Sequence, residues 1–393
     1  MKTVLFLYHT SSIGGGSYCL LNILKNLNRT LIKPIVLLSS DGPLVSEIKS
    51  LNIEVSFLDN MHVVPYNVST FTPRRIKNAI DILVSMRTLK DIISKFNVDV
   101  LYCNTMMLYP YLRVAKKCGC NTIIHIREHW PEGEHSWQRN MALSHINRYA
   151  DKIIAINRYS ASMIRPYGRN AEIVYDWIDM SSRYQKMPLC EIFNEMMDDK
   201  KVFLYMGGMQ EIKGALEIVT AFSKFIKDSN SRLLVLGINS KYKAHGFRGM
   251  IKKMLKIIGI KTYSERVIDI INNDTRIKCI GGTYNIRHLY EQVYCILSYF
   301  TIPHANLALA ESIICNTVNI AAITDESLEY SAEGELALLY EENNFAEFLK
   351  SIESLEMNIE KLKSRISEKS SVIKYMFNPE RNIQKLNRII ENI

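Results

Sequence analysis

The sequence predicts an α/β protein of two open parallel sheets, and three observations carry that prediction. Strand and helix signals alternate regularly through the first half of the chain, a second alternating series starts at Lys201, and that series opens on a strand, glycine loop and helix, KVFLYMGGMQEIKG from Lys201 to Gly214. Strands that alternate with helices assemble into parallel sheets covered on both faces. At 393 residues the chain is long enough for two such domains, each with its own core.

In the first half, Val4 to Tyr8, Pro34 to Leu38, Ile53 to Leu58, Val100 to Tyr102, Thr122 to Ile126, Lys152 to Ile156 and Glu172 to Tyr175 have the apolar, β-branched character of buried strands. Helical spacing is clearest at Ser17 to Leu27, Arg75 to Phe96, Met107 to Lys117, His135 to Tyr149 and Tyr159 to Arg165. Between Trp177 and Lys200 the pattern weakens into a polar, methionine-rich stretch that reads as a linker. The second series has strands at Lys201 to Met206, Arg232 to Gly237, Arg276 to Ile280, Val293 to Ser298, Thr317 to Ala322 and Leu336 to Tyr340, and Arg381 to Ile393 closes the chain as an amphipathic helix. The expected domains are therefore 1–180 and 190–376, with 377–393 as the closing helix.

In an open parallel sheet, ligands gather at the carboxyl ends of the strands. Three loops of the first half carry chemistry there. His9 to Gly16 ends in Gly14, Gly15 and Gly16 and opens a helix, which suits either a phosphate or close packing. Asn104 and Thr105 follow one strand, and His125 to Glu132 follows another, bringing His125, Arg127, Glu128 and His129 into one loop. His125, Glu128 and His129 spell H-x-x-E-H, a zinc string that works only on a helix, where histidines four apart share a face. Here β-branched residues precede it and Pro131 follows, so a cleft in which Arg127 and Glu128 meet a ligand is favoured over zinc, with a plain surface loop as the alternative.

In the second half, the glycine pair Gly207 and Gly208 stops the strand and lets backbone approach a bulky anion, while Lys213 adds a positive charge at a helix start. An ordinary strand-helix turn with a solvated lysine would look the same locally. Asn306 to Asp325, NLALAESIICNTVNIAAITD, is an apolar helix with a single acid, Glu311, followed by a turn and a buried strand. A lone carboxylate on such a helix is either exposed or committed to hydrogen bonds, and the adjacent hydroxyls of a ribose are suitable partners. The helix start at Ala305, Asn306 and Leu307 would offer N–H groups to a diphosphate.

Bulk properties narrow the class. Hydrophobic residues at 47% and charged residues at 23% indicate a globular chain, and a net charge of +9 suits acidic partners such as sugar nucleotides, phospholipid surfaces or nucleic acid. The eight cysteines are scattered, forming neither a zinc pattern nor a disulfide framework, as expected of a cytosolic protein. The N-terminal MKTVLFLY has too short an apolar run for a signal peptide and reads as a first strand. Val293 to Ala310 lacks charges but is interrupted by Pro303, His304 and Asn306, so it reads as strand, loop and helix, not as a membrane span. Tyr242 to Arg266 is rich in bases. Its GMIKKMLKIIGIK core fits a core-facing helix with a solvated basic edge, or an interfacial membrane helix.

Together these residues resemble glycosyltransferase family 4, of the GT-B fold, over nearly the whole chain. The glycine loop Gly14 to Gly16, the strands at DKIIAIN and EIVYDWID, the Gly207-to-Lys213 loop, the Cys279-to-Leu289 segment, the Leu309-to-Asp325 helix and strand, and the terminal helix after Pro379 follow that family's order and spacing. The resemblance implies two Rossmann-like domains facing each other across a cleft, with the C-terminal helix crossing back to the first. It implies a retaining, metal-independent transfer of sugar from a nucleotide donor, linked to UDP or GDP, to a glycan or lipid-linked glycan, in cell-surface polysaccharide synthesis. The protein would then be cytoplasmic with a peripheral membrane contact, would use no cofactor beyond the donor as substrate, and would not bind nucleic acid.

By the same resemblance Lys213 neutralises the departing diphosphate and Glu311 binds the ribose, with His125 and Glu128 as further catalytic candidates. Gly15, Gly16, Gly207, Gly208, Gly282, Thr283, His304, Ala305, Asn306 and Leu307 would contact the donor. Two positions depart from the family. Gly208 stands where an arginine usually follows the loop glycine, and Pro303, beside His304, stands where a glutamate usually lies eight residues before Glu311. Loss of those groups implies a donor gripped differently, with His304 or Arg287 helping, or a reduced activity. The rivals are a non-catalytic relative that binds nucleotide or glycan within a complex, and a metallohydrolase built on His125, Glu128 and His129.

Overall fold

The computed structural model describes residues 1–64, 73–131, 133, 136–177, 187–238, 261–283 and 286–393. The basic segment expected to be helical at 242–260, the middle of the expected linker, and the expected helix start at residue 135 lie outside the described residues. The chain divides into two compact units, Met1–Asp179 with Phe377–Ile393, and Met180–Met376.

The first unit holds seven strands, β1 (Lys2–Leu7), β2 (Ile32–Leu38), β3 (Glu54–Phe57), β4 (Val100–Cys103), β5 (Asn121–Ile126), β6 (Lys152–Ala155) and β7 (Glu172–Ile173). They form one sheet in the order β3-β2-β1-β4-β5-β6-β7, and every pair is parallel. Alternate residues of each strand face opposite sides. Leu5, Leu7, Leu101, Cys103, Ile124 and Ile126 join a core on one face, while Val4, Phe6, Val100, Tyr102 and Ile123 join another on the opposite face. The second core includes Ile383, Leu386, Ile389 and Ile390 of the C-terminal helix Pro379–Glu391, which therefore belongs to the first domain although it follows the second in sequence. Lys2 holds the end of that helix by donating from Nζ to the carbonyls of Glu391 (2.7 Å) and Ile393 (3.0 Å), a cation at a helix C-terminus.

The second unit repeats the plan with β8 (Lys201–Tyr205), β9 (Ser231–Leu236), β10 (Ile277–Ile280), β11 (Cys295–Leu297), β12 (Val318–Ala322) and β13 (Leu338–Tyr340), ordered β10-β9-β8-β11-β12-β13 and again all parallel. In both sheets the strand order reverses beside the first strand, between β1 and β4 and between β8 and β11. Loops on either side of such a reversal diverge at the carboxyl ends and leave a crevice, where open α/β sheets bind ligands.

Several boundaries differ from the sequence reading, each for a local reason. The helix expected at Met107 to Lys117 starts as a 3-10 segment, Met106–Tyr111, because Pro110 has no N–H to give, and becomes α-helical only at Leu112–Lys117. Tyr159 to Arg165 shortens to Arg158–Ser162 before Pro166. The expected linker is ordered in its last part. Leu189–Phe193 is a helix whose Leu189 and Phe193 pack with Val202 and Leu204 in the second domain. The helices Pro43–Ser50 and Phe345–Lys369 had no sequence assignment. The uncharged window at Val293 to Ala310 divides into β11, a loop and the start of the helix Leu307–Ile314, and among the described residues no helix is long and apolar enough to cross a membrane.

Candidate functional site

In the second domain β8 delivers its chain directly to the crevice beside β11. Gly208 has a left-handed φ of +61° and sits where a Cβ would lie 3.2 Å from the carbonyl oxygen of Gly237, itself at φ +82°. Two backbones therefore cross with no room for side chains, and the Gly208 N–H donates to the Leu236 carbonyl at 3.1 Å. An arginine here would need both an unfavourable φ and a displaced neighbouring strand end, which accounts physically for the departure at this position. Beneath the loop, the Tyr205 hydroxyl donates to the Lys213 carbonyl at 3.1 Å, and a Cβ on Gly207 would collide with it.

The loop then closes as a 3-10 turn, Glu211–Lys213, onto Gly214 (φ +64°), the cap of the helix Ala215–Phe225. A Cβ on Gly214 would meet the Tyr299 carbonyl oxygen at 2.4 Å, so this glycine is fixed by contact with the segment that leaves β11. That segment is also tied back: the Thr301 N–H donates to the Ile212 carbonyl at 3.1 Å. The loop bearing Lys213 and the loop leading to the helix Leu307–Ile314 are thus bound to each other across the strand reversal.

Lys213 is partly buried, its ammonium makes no hydrogen bond or ion pair to the described residues, and burial pulls its pKa below the ordinary lysine value. Asn306 is the N-cap residue of the helix Leu307–Ile314, is 5% exposed, and its Nδ2 has no partner among the described residues. Ala305 and Leu307 flank it, and the first N–H groups of any helix lack intrahelical acceptors. One turn further, Glu311 accepts a hydrogen bond of 2.6 Å from the hydroxyl of the fully buried Tyr290. Burial raises the Glu311 carboxyl to about 7, against the opposing pull of that hydrogen bond. The other donor candidates lie at the same edge. His304 packs its ring 5.5 Å from that of Phe300, Gly282 is exposed and Thr283 partly buried beyond β10, and Arg287 pairs with Glu291 at 2.8 Å. Arg287 is therefore engaged on its own helix.

In the first domain the glycine loop is a packing device at one of its two inner positions. A Cβ on Gly16 would lie 2.7 Å from the Tyr8 hydroxyl, whereas Gly15 faces open space, and the Gly14 N–H donates to Ser17 Oγ at 2.7 Å. His125 ends β5 and is 1% exposed. Its Nδ1 is 2.6 Å from the Tyr102 hydroxyl and 3.2 Å from Arg127 Nη2, and burial first, then the charge of Arg127, hold it well below the usual histidine range. Arg127 forms an ion pair with Asp176 at 2.5 Å.

Both oxygens of Glu128 are occupied. Oε1 accepts from the Thr105 hydroxyl, and Oε2 accepts from the N–H groups of Met106 and Arg127 at 3.0 Å each. Burial raises this carboxyl and those hydrogen bonds oppose the rise. Glu128 thereby joins the turn after β4 to the turn after β5. His129 stacks on Tyr159 with ring centroids 3.8 Å apart. The H-x-x-E-H string runs from a strand into a loop, its three side chains have separate surroundings, and among the described residues no group of three or more His, Cys, Asp or Glu is placed to hold a metal. Sequence reasoning missed Tyr205, Tyr290, Asp176 and Tyr102. Each is a polar-tipped residue in or beside an apolar run, and only the position of its partner reveals its role.

The Glu311 environment has a measurable consequence. A carboxyl raised from 4.5 to about 7 on folding keeps a proton in the folded state that the unfolded state has released, so its contribution falls as pH rises through that window and levels above it. Thermal melts from pH 4.5 to 8 should show wild type losing stability relative to Glu311→Gln across this window, and Tyr290→Phe losing more. Parallel curves for wild type and Glu311→Gln would contradict the placement of Glu311.

Comparison with known proteins agrees with this architecture. The model of the family described as Glycosyltransferase Family 4 matches residues 13–182. A sequence search of curated proteins gives no significant match. Among solved structures, Anabaena Alr3699/HepE in complex with UDP-glucose superposes with a TM-score of 0.76 at 16% identity, covering 100% of both chains. A glycosyltransferase from Rickettsia africae ESF-5 gives 0.68 at 18% identity over 100% of this chain and 98% of that one. The lipopolysaccharide outer core galactosyltransferase WaaB gives 0.58 at 14% identity over 98% and 99%. The Glycosyltransferase Family 4 model thus matches the first domain, and over its whole length the chain has the GT-B fold of two Rossmann-like domains.

Proposed function

We propose that this chain is a glycosyltransferase whose second domain binds a nucleotide-activated sugar, with Lys213 on the diphosphate and Glu311 on the ribose. The observation that carries this reading is the pair of joined loops beside β11, where a desolvated ammonium and the Nδ2 of Asn306, neither with a partner among the described residues, stand at one strand reversal. The UDP-glucose in the Anabaena HepE structure supports a UDP-linked donor, with GDP as the alternative. Transfer would retain the anomeric configuration and need no metal, because Lys213 and the helix-start N–H groups would take up the charge of the leaving diphosphate. The absence of a side chain at Gly208 leaves one cation fewer than the family norm, so Lys213 carries a larger share of that task. His304, Gly207, Gly208, Gly282 and Thr283 would complete the donor site, while Gly15, Gly16, His125 and Glu128 belong to the acceptor-side domain.

A lipid-linked glycan is the acceptor this reading favours, in polysaccharide synthesis at a membrane. The helix Pro73–Phe96 supports it. Ile76, Ile80 and Leu83 are 55%, 55% and 63% exposed, at spacings that put them on one face, with Arg87 one further turn along.

Two experiments test these readings. UDP and GDP-sugars should raise the melting temperature of wild type, and Lys213→Ala should weaken nucleotide binding roughly 10- to 150-fold, the equivalent of one charge-assisted hydrogen bond. Donor binding without turnover or donor hydrolysis would favour the non-catalytic alternative, and no shift with either nucleotide would overturn the reading. Separately, the protein should co-sediment with anionic vesicles, and Ile80→Glu with Leu83→Glu should abolish this. Failure of wild type to co-sediment would remove the membrane contact and leave the donor site standing.

A further inference from the structure

The guanidinium of Arg127, expected as a ligand contact, is consumed inside the first domain. Nη1 binds the Asp176 carboxylate at 2.5 Å, Nε donates to Asn104 Oδ1 at 3.2 Å, and Nη2 donates to His125 Nδ1 at 3.2 Å. Arginine has donors only, so each partner is forced to present a lone pair. Asn104 must therefore turn its Oδ1 to Arg127 and its Nδ2 away. His125 must keep Nδ1 unprotonated, which places the proton of the neutral ring on Nε2. Tyr102, kept protonated by burial, offers a second donor to the same Nδ1 at 2.6 Å.

The consequence is visible at the far side of both residues. Asn104 Nδ2 and His125 Nε2 are buried N–H donors, on residues 0% and 1% exposed, and neither has a partner among the described residues. A buried donor is seldom left unsatisfied, and here two share one network at the carboxyl ends of the adjacent strands β4 and β5. The charges of Arg127 and Asp176 cancel locally, so the pair offers hydrogen bonds without net charge.

We propose that Arg127, clamped by Asp176, is a positioning residue that fixes His125 as its Nε2–H tautomer and turns the Asn104 amide, so that both donate to an uncharged oxygen of a bound saccharide. The saccharide part rests on the sugar-transfer reading; the proton placement does not. No bond is made or broken by Arg127, and its effect passes entirely through His125 and Asn104.

The test is nitrogen NMR of the full chain carrying labelled histidine, read from pH 5 to 8. The titratable and charged groups around His125 are Tyr8, Cys19, Tyr102, Arg127, Glu128 and Asp176. Wild type should show a neutral His125 protonated on Nε2 throughout, which needs no variant and no ligand. In Arg127→Met the cation is lost and Asp176 is released, so the ring should protonate at higher pH and populate the Nδ1–H form. Tyr102→Phe, which leaves Arg127 in place, should keep the Nε2–H form. A wild-type His125 that is protonated on Nδ1 in this range, or an Arg127→Met spectrum identical to wild type in tautomer and titration, would overturn the proposal. Absence of nucleotide binding would instead count only against the sugar-transfer reading.

Discussion

One backbone hydrogen bond, from the Thr301 N–H to the Ile212 carbonyl, ties the loop after β8 to the loop after β11 at the point where the strand order of the second domain reverses. Beside it the Thr301 hydroxyl donates to the Glu211 carbonyl at 3.4 Å. With it, and with Gly214 seated against Tyr299, the two loops become one wall. Reversal of a parallel sheet opens a crevice, but it does not fix what lines the crevice. The hydrogen bond and the glycine contact do.

The two domains use the same sheet order to build different chemistry. In the second, an ammonium and an asparagine Nδ2 without partners among the described residues, and a carboxyl that burial raises to about 7, lie at the carboxyl ends of the strands, a set that suits a charged ligand with hydroxyl groups. In the first, the ionic groups are already paired. Arg127 is held by Asp176, and Glu128 by Thr105 and two backbone N–H groups, which leaves neutral donors as its offering. A buried ion pair contributes little to stability by itself, but it fixes the orientation of the polar groups around it.

The architecture was legible in the sequence because both sheets are parallel and fully covered, so that each strand is a compact apolar run such as Val100 to Cys103 or Val318 to Ala322. The glycine pair at 207 and 208 was legible too, since glycine suits a left-handed φ and a close backbone approach at no steric cost. What could not be read was partnership. Tyr290 looks like one more apolar residue closing IRHLY until Glu311 is found against it, and Asp176 lies beyond a strand whose neighbours give no sign of Arg127. The missed helix at Pro43–Ser50 has the same origin: it is short, with only Leu44, Val45 and Ile48 turned inward, too few positions to establish a helical period.

The account stands on Lys213 and Glu311 meeting one nucleotide at the β8–β11 reversal. The direct measurement is a crystal structure with UDP or GDP bound. The account requires phosphate oxygens within hydrogen-bonding distance of Lys213 Nζ and ribose hydroxyls on the Glu311 carboxylate. A nucleotide seated elsewhere, with Lys213 turned to solvent, would contradict it.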